Sequence, residues 1–174
     1  DLKEHIRSIQ DYPKKGILFR DITTLIKNEK AFKECINQIV ERSKSFKFDK
    51  IAAIESRGFV FASAISYILD KPFIMLRKKN KLPAEVHSID FELEYGTATI
   101  EVHKDSFNKN DNVLIIDDLI ATGGTAEAAA KLIEISESNV AGFIFVINLF
   151  DLGGTDSLLK KGYKVENLLD FPGH

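Results

Sequence analysis

Apolar residues in this chain recur with two distinct periods, and the switching between them predicts most of its elements. Leu2, Ile6 and Ile9 are spaced as on one face of a short amphipathic helix over 2–9. Tyr12-Pro13-Lys14-Lys15-Gly16 then breaks the chain, and Ile17-Leu18-Phe19 is a brief apolar run. From Asn28, a residue suited to capping a helix, Phe32, Cys35, Ile36, Ile39 and Val40 recur at helical spacing and predict a helix to about 45. Two strand–helix alternations follow. In the first, Ile51-Ala52-Ala53-Ile54 reads as a buried strand, 59–69 as a helix, and Pro72 restarts the chain as the strand Phe73-Ile74-Met75-Leu76. In the second, Val113-Leu114-Ile115-Ile116 is a buried strand, 125–138 an alanine-rich helix and 140–149 a long apolar strand. Continuous apolar strands alternating with helices indicate an α/β fold with a mostly parallel central sheet, covered on both faces.

Between the two units the period changes. Phe91, Leu93 and Tyr95, then Ala98, Ile100 and Val102, alternate with polar residues, which predicts an antiparallel hairpin turning near Gly96. The stretch 77–89 is polar and basic and reads as a mobile loop, whereas 154–156 and 163–171 read as a final helix and strand. No repeat, low-complexity tract or linker divides the chain, so 1–174 is expected to be a single domain.

Composition narrows the class. With 174 residues and 44% apolar content, the chain suffices for one buried core and is not disordered. A single cysteine, Cys35, excludes a disulfide scaffold and a thiolate metal cage. One thiol and no apolar leader point to a reducing compartment, and a cytoplasmic location is expected. No apolar run approaches the ~20 residues that span a bilayer, so no membrane is expected as a partner. Lys and Arg number 24 against 26 Asp and Glu, a net charge of −2 without the basic excess that nucleic acid requires. His5, His87 and His103 are scattered without metal-ligand spacing.

The chemistry concentrates in Val113-Leu114-Ile115-Ile116-Asp117-Asp118-Leu119-Ile120-Ala121-Thr122-Gly123-Gly124-Thr125. A buried strand ends in two adjacent carboxylates, and a glycine-rich turn opens a helix. Ligands of open α/β sheets bind beyond the carboxyl ends of the strands. Backbone N–H groups at a helix start form an anion site, and glycines let a phosphate approach closely. Asp117 and Asp118 would repel that phosphate unless they serve another target, either the hydroxyls of a sugar or a hard cation such as Mg²⁺. A phosphorylated sugar meets both halves of the motif. No Gly-Lys-[Ser/Thr] follows, which excludes a P-loop, and the dinucleotide glycine spacing is missing.

This segment resembles the phosphoribosyl pyrophosphate (PRPP) signature of the type I phosphoribosyltransferases, and the wider pattern resembles the branch of that family acting on adenine. Four further segments carry the likeness in the family's order: Gly16-Ile17-Leu18-Phe19-Arg20-Asp21-Ile22, Glu55-Ser56-Arg57-Gly58-Phe59, Leu76-Arg77-Lys78-Lys79-Asn80-Lys81-Leu82-Pro83 and Leu93-Glu94-Tyr95-Gly96. Together they span nearly the whole chain. The resemblance implies the family's fold, with a β-hairpin hood and a flexible loop at about 77–97 that closes over the active site. It implies that Ala121, Thr122, Gly123, Gly124 and Thr125 hold the 5-phosphate of PRPP, while Asp117 and Asp118 hold the ribose hydroxyls. Glu55, Ser56 and Arg57 form a pyrophosphate loop, with a non-proline cis peptide expected between Glu55 and Ser56. Arg77, Lys78 and Lys81 join that group, with Lys79 fitting less securely and read as solvent-facing. Leu18, Phe19 and Arg20, with Ile120, are adenine-binding, main-chain groups of the first three reading the edge of the base.

The implied reaction is displacement at the anomeric carbon of PRPP by N9 of adenine, giving AMP and pyrophosphate in purine salvage. Mg²⁺ is the implied cofactor, bound mainly through PRPP, and a homodimer is expected, with a seam near the first helix and 20–24. Enzymes for 6-oxo purines usually carry an Asp three residues after the acid pair, and this chain has Ala121 there. The acid–base carboxylate is therefore expected from Glu94, with Tyr95 helping to close the site. Residue by residue, plainer readings exist: Arg57 as a surface ion pair, Phe19 as core, Glu94 as an exposed hairpin residue. Two other functions compete, a PRPP- or purine-sensing regulator without turnover and a phosphoribosyltransferase for a different base.

Overall fold

In the computed structural model, residues 1–93 and 96–174 are described; Glu94 and Tyr95 lie outside them. The chain runs through β1 (Arg7–Gln10), β2 (Leu18–Asp21), α1 (Thr23–Ile26), α2 (Glu29–Ser43), β3 (Lys50–Ile54), α3 (Arg57–Leu69), β4 (Phe73–Lys78), β5 (Val86–Leu93), β6 (Gly96–His103), β7 (Asn112–Ile120), α4 (Gly124–Ile135), β8 (Asn139–Leu149), α5 (Gly154–Lys160) and β9 (Val165–Phe171). Seven strands form one sheet in the order β5-β6-β4-β3-β7-β8-β9. Its five strands from β4 to β9 are parallel, and the β5–β6 hairpin is added antiparallel at the β4 edge.

The period-2 rule explains how continuous apolar strands fill two cores. Successive side chains of a strand point to opposite faces. Ile51 and Ala53 of β3 and Leu114 and Ile116 of β7 accordingly join Ile39 of α2 and Phe61 and Ile65 of α3 in one cluster. Ala52, Ile54, Val113 and Ile115 join Ala129, Leu132 and Ile133 of α4 in the other. Each fully buried Ile or Leu contributes about 1.5–3 kcal/mol. The small side chains of Ala126, Ala128, Ala129 and Ala130, all buried, let α4 lie close on the sheet. Asn28 caps α2 as expected, its Oδ1 accepting from the Ala31 N–H at 2.9 Å. Cys35 is a core residue whose thiol burial pushes up to about 12, which keeps it unreactive.

Three expectations are corrected. The predicted helix over 2–9 is a single 3-10 turn, Leu2–His5, followed by strand β1. Leu2 and Ile6 are buried by that one turn. Arg7 then pairs with Asp21 across the two-stranded β1–β2 sheet, a tertiary partner that a four-residue segment has no local means to declare. The basic stretch 77–89, read as loop, is strand at both ends, because Arg77 and Lys78 pair with Glu101 and Ile100 and because 86–89 pair with 100–103. Finally, β7 does not stop at Ile116. It continues to Ile120 beside β8, so Asp117 and Asp118 lie within the strand. Among the described residues no helix is long and apolar enough to cross a membrane.

Candidate active site

Sheet order creates the crevice. β3 leads through α3 to β4 on one side, whereas β7 leads through α4 to β8 on the other. Two adjacent strands whose crossovers depart in opposite directions leave an opening at their carboxyl ends. β3 and β7 pair from Lys50 and Val113 to Ala52 and Ile115, and β7 then continues against β8 alone. A cavity of about 800 Å³ opens at this point. Its walls come from the β3–α3 turn (Glu55, Ser56, Arg57), from 117–126, from Lys78, Lys79 and Lys81, and from Phe91, Leu93 and Thr97 of the hairpin.

Asp118 is buried, and the Arg57 Nε donates to its Oδ2 at 2.6 Å, which makes Asp118 the anchor for a cation at the start of α3. The charge of Asp118 raises the Arg57 pKa. Asp117 accepts from the Asp118 N–H at 2.8 Å. Burial, followed by the neighbouring Asp118 charge, pushes the Asp117 carboxyl well above the ordinary carboxylate range. Gly58 explains how α3 approaches this pair. A Cβ there would stand 2.8 Å from Asp117 Oδ1 and 3.3 Å from the Ile116 carbonyl oxygen.

The turn after β7 holds the anion-binding geometry. Gly123 takes φ +94°, the left-handed region, and helix α4 starts at Gly124. The first N–H groups of a helix have no partner within it and carry its positive end. Here that helix start borders the cavity, which Thr122, Gly123, Gly124 and Thr125 line. The turn is braced from behind, where the Gly154 N–H donates to the Ala121 carbonyl at 3.1 Å.

The basic wall is ordered by two carboxylates. Glu55 Oε1 accepts from the Lys78 N–H at 2.6 Å and from Arg77 Nε at 3.2 Å, joining the ends of β3 and β4. Glu101, buried in β6, accepts from the Asn80 N–H at 3.0 Å and from the Ser88 hydroxyl, and its pKa is lowered by the Ser88 and Asn80 hydrogen bonds. Lys79 lines the cavity rather than facing solvent alone, whereas Arg77 is not among the lining residues and is spent on Glu55. The peptide between Glu55 and Ser56 is cis, as the resemblance implied.

Leu18, Phe19 and Arg20 lie on β2 and do not line this cavity. Arg20 donates to Ser8 Oγ at 2.6 Å and to the Pro172 carbonyl at 2.9 Å, its guanidinium stacks on Phe171, and its Nε is buried without a hydrogen-bond partner. Phe19 meets the edge of the Tyr12 ring. Ile120 is buried and lines the cavity floor. The positions assigned to Glu94 and Tyr95 fall outside the described residues.

Residues 21–168 match the pattern of the phosphoribosyl transferase domain. The chain belongs to that family. Over 174 residues it is 80% identical to an adenine phosphoribosyltransferase of Pelagibacter ubique, covering 100% of this chain and 99% of the relative. The phosphoribosyltransferase fold is shared with a crystal structure of adenine phosphoribosyltransferase from Thermoanaerobacter pseudethanolicus, at TM-score 0.94 and 45% identity, covering 98% of each chain. It is shared also with adenine phosphoribosyltransferase from Saccharomyces cerevisiae, solved with an imino-altritol bisphosphate and adenine, at TM-score 0.89 and 35% identity, covering 97% and 96%.

Three residues of this phosphoribosyltransferase have roles at the site that their sequence context does not disclose. Lys79 reads as the less secure, solvent-facing member of the basic group, because a charge run has no periodicity that reveals which member faces inward. Glu101 is one polar position between the apolar Ile100 and Val102; only its register opposite Ser88 makes it the tie for the basic turn. The one local signal at Gly154 is the Gly153-Gly154 pair, a few residues beyond a long apolar strand.

Proposed function

We propose that this chain transfers the 5-phosphoribosyl group of PRPP to N9 of adenine, releasing AMP and pyrophosphate, with the cavity at the ends of β3 and β7 as its active site. The observation that carries this reading is the meeting of an anion-binding helix start, a carboxylate pair and a basic wall in one crevice. The full-length likeness to an adenine phosphoribosyltransferase supports adenine as the base.

In this reading the turn 121–125 takes the 5-phosphate through backbone N–H groups and the Thr122 and Thr125 hydroxyls. Asp117 and Asp118 accept from the ribose 2′- and 3′-hydroxyls. Ser56, Arg57, Lys78, Lys79 and Lys81 take the pyrophosphate, with Glu55 and Arg77 holding the ends of β3 and β4 in place behind them. The C1′–oxygen bond to pyrophosphate breaks as the bond from C1′ to N9 forms, through a transition state of oxocarbenium character. Cations around the departing pyrophosphate stabilise the charge that grows there. The proton lost from the purine passes to Glu94, whose neighbours Leu93 and Thr97 line the cavity.

Among the described residues no group of three or more His, Cys, Asp or Glu side chains is arranged to hold a metal. Asp117 and Asp118 still offer hard oxygen donors in the cavity, the type that Mg²⁺ prefers beside phosphate oxygens and water. The cation would therefore arrive largely on PRPP, and its chemistry is to neutralise the leaving pyrophosphate. Adenine is read by main-chain groups of Leu18, Phe19 and Arg20 and packed by Phe19 and Ile120. That requires β2 and the cavity to close on each other around the base, with the turn at 79–85, the hairpin and Tyr95 covering the site.

The chain works in a reducing cytoplasm, consistent with its buried free thiol, and pairs as a homodimer. The exposed Val60, Tyr67 and Ile68 of α3 support a seam on that helix. Asp21 and Ile22 are used inside the protomer, which argues against a seam at 20–24.

The test is AMP formation from PRPP and Mg²⁺ with adenine, beside hypoxanthine, guanine and xanthine. Turnover with adenine alone is expected. Turnover with a 6-oxo purine instead would leave the PRPP site standing and refute the adenine reading. PRPP binding without any turnover would make the chain a sensor.

A further inference from the structure

We propose that helix α5 is the brace that sets the affinity for the 5-phosphate, with Gly154 as its positioning residue. This rests on the reading of 121–125 as the phosphate turn. Two contacts join α5 to that turn, and a third ties it to the helix that the turn opens. The Gly154 N–H donates to the Ala121 carbonyl at 3.1 Å, which fixes the peptide entering the turn. The Gly154 backbone packs against the middle of the turn so closely that a Cβ at Gly123 would stand 3.1 Å from Gly154 Cα. Ser157 Oγ, one helical turn further on, and Lys161 Nζ, just past the helix end, donate to the two carboxylate oxygens of Glu127 at 2.7 and 2.9 Å, which ties α5 to the first turn of α4.

The packing leaves no room for a side chain. A Cβ at Gly154 would lie 2.5 Å from the Ala121 carbonyl oxygen, 2.9 Å from the Gly123 nitrogen and 2.8 Å from Ile120 Cγ1. The first two neighbours are backbone of the turn itself, so they cannot swing aside as a flexible side chain would. Adding one methyl group must displace either α5 or the turn. Gly123, at φ +94°, is itself packed against the Gly154 backbone, so a shift of either one moves the other. A phosphate held by several convergent N–H groups loses affinity steeply when they shift by a fraction of an ångström, because each hydrogen bond depends on distance and angle together. Gly154 touches no reacting atom and acts only through the turn.

The readout that separates positioning from general stability is a split between two fragments of PRPP. Ribose 5-phosphate uses the turn and pyrophosphate does not. Calorimetric titration with each, in the presence of Mg²⁺, is compared among the native chain, Gly154→Ala, Thr125→Val and the α2 core variant Ile39→Val. Gly154→Ala is expected to weaken ribose 5-phosphate about tenfold or more while pyrophosphate affinity stays within about twofold. Its KM for PRPP should rise in parallel, with KM for adenine unchanged. Ile39→Val should lower Tm by a few degrees, roughly 2–6 °C, and move neither affinity.

If Gly154→Ala does not fold, Ser157→Ala combined with Lys161→Ala removes the Glu127 tie without adding an atom. That double variant is expected to weaken ribose 5-phosphate about threefold and to spare pyrophosphate. Equal losses for both fragments would overturn the inference. So would unchanged ribose 5-phosphate affinity in the α5 variants while Thr125→Val weakens it. Unchanged affinity in Thr125→Val as well would overturn the phosphate reading itself, and the inference with it.

Discussion

Arg57 Nε donates to Asp118 Oδ2 at 2.6 Å, joining the start of α3 to the last third of β7 at the crevice. The two partners are unequally buried, with side-chain exposures of 56% for Arg57 and 7% for Asp118. The carboxylate depends on the guanidinium more than the reverse. Removing Arg57 leaves a nearly buried charge without its cation, a cost of about 1 kcal/mol once solvent screening of the exposed arginine is allowed for. Arg57→Gln and Asp118→Asn should each lower stability to urea by about that amount, and the double variant should be no worse than either. PRPP affinity behaves differently, because the two residues serve different parts of the ligand. It should fall further in the double variant than in either single one. Fully additive stability losses would show that the pair is not coupled.

Asp117 yields a pH prediction. Its folded-state pKa is raised above the ordinary 3.8, first by burial and then by the Asp118 charge. A carboxyl that binds its proton more tightly when folded contributes stability that is fully present below its unfolded pKa. That contribution is lost as pH rises through the folded value. Asp117→Asn removes the dependence. The variant should match the native chain in unfolding free energy near pH 4 and exceed it increasingly toward pH 8, while its PRPP affinity falls. Urea denaturation at a series of pH values checks this, and a constant difference across the series would refute it.

Glu94→Gln should lower kcat about 100-fold or more, the usual range for losing a proton-transfer group, and leave PRPP affinity within about twofold. Single-turnover measurement with adenine separates this chemical step from product release. Equal activity would remove Glu94 from the mechanism.

Gly58→Ala should damage the site without touching a ligand group. Its Cβ would meet Asp117 Oδ1 at 2.8 Å, so either α3 retreats or the carboxylate turns. A stability loss of about 1–3 kcal/mol is expected, as for other overpacked positions. The KM for PRPP should rise with it, and an unchanged KM would show that Asp117 does not hold the ribose.

Much of the site was readable in the chain because it is local. The residues from Val113 to Thr125 carry strand, acid pair, turn and helix start in one continuous run, and 117–125 all line the cavity. Glu55, Ser56 and Arg57 were readable for the same reason, as a short polar interruption between an apolar strand and an apolar helix. Continuous apolar runs likewise disclosed the parallel sheet, because a strand buried on both faces has no polar positions to spare.

What remained hidden is non-local. The 3.6-residue spacing of Leu2, Ile6 and Ile9 is real, yet a segment so short takes its conformation from its partner, and β2 made its second half, from Arg7, a strand. In the basic stretch, the end of β4 at Lys78 and the turn after it bring Lys79 to the cavity, while Arg77 is spent on Glu55. Gly154 belongs to the phosphate turn only in space, some thirty residues after it in the chain. The sequence by itself determined the fold class, the phosphate turn and the acid pair, since each is written in adjacent residues and their side-chain period. Tertiary structure decided which cations, glycines and buried carboxylates hold that turn in place, because those contacts exist only once distant strands have packed.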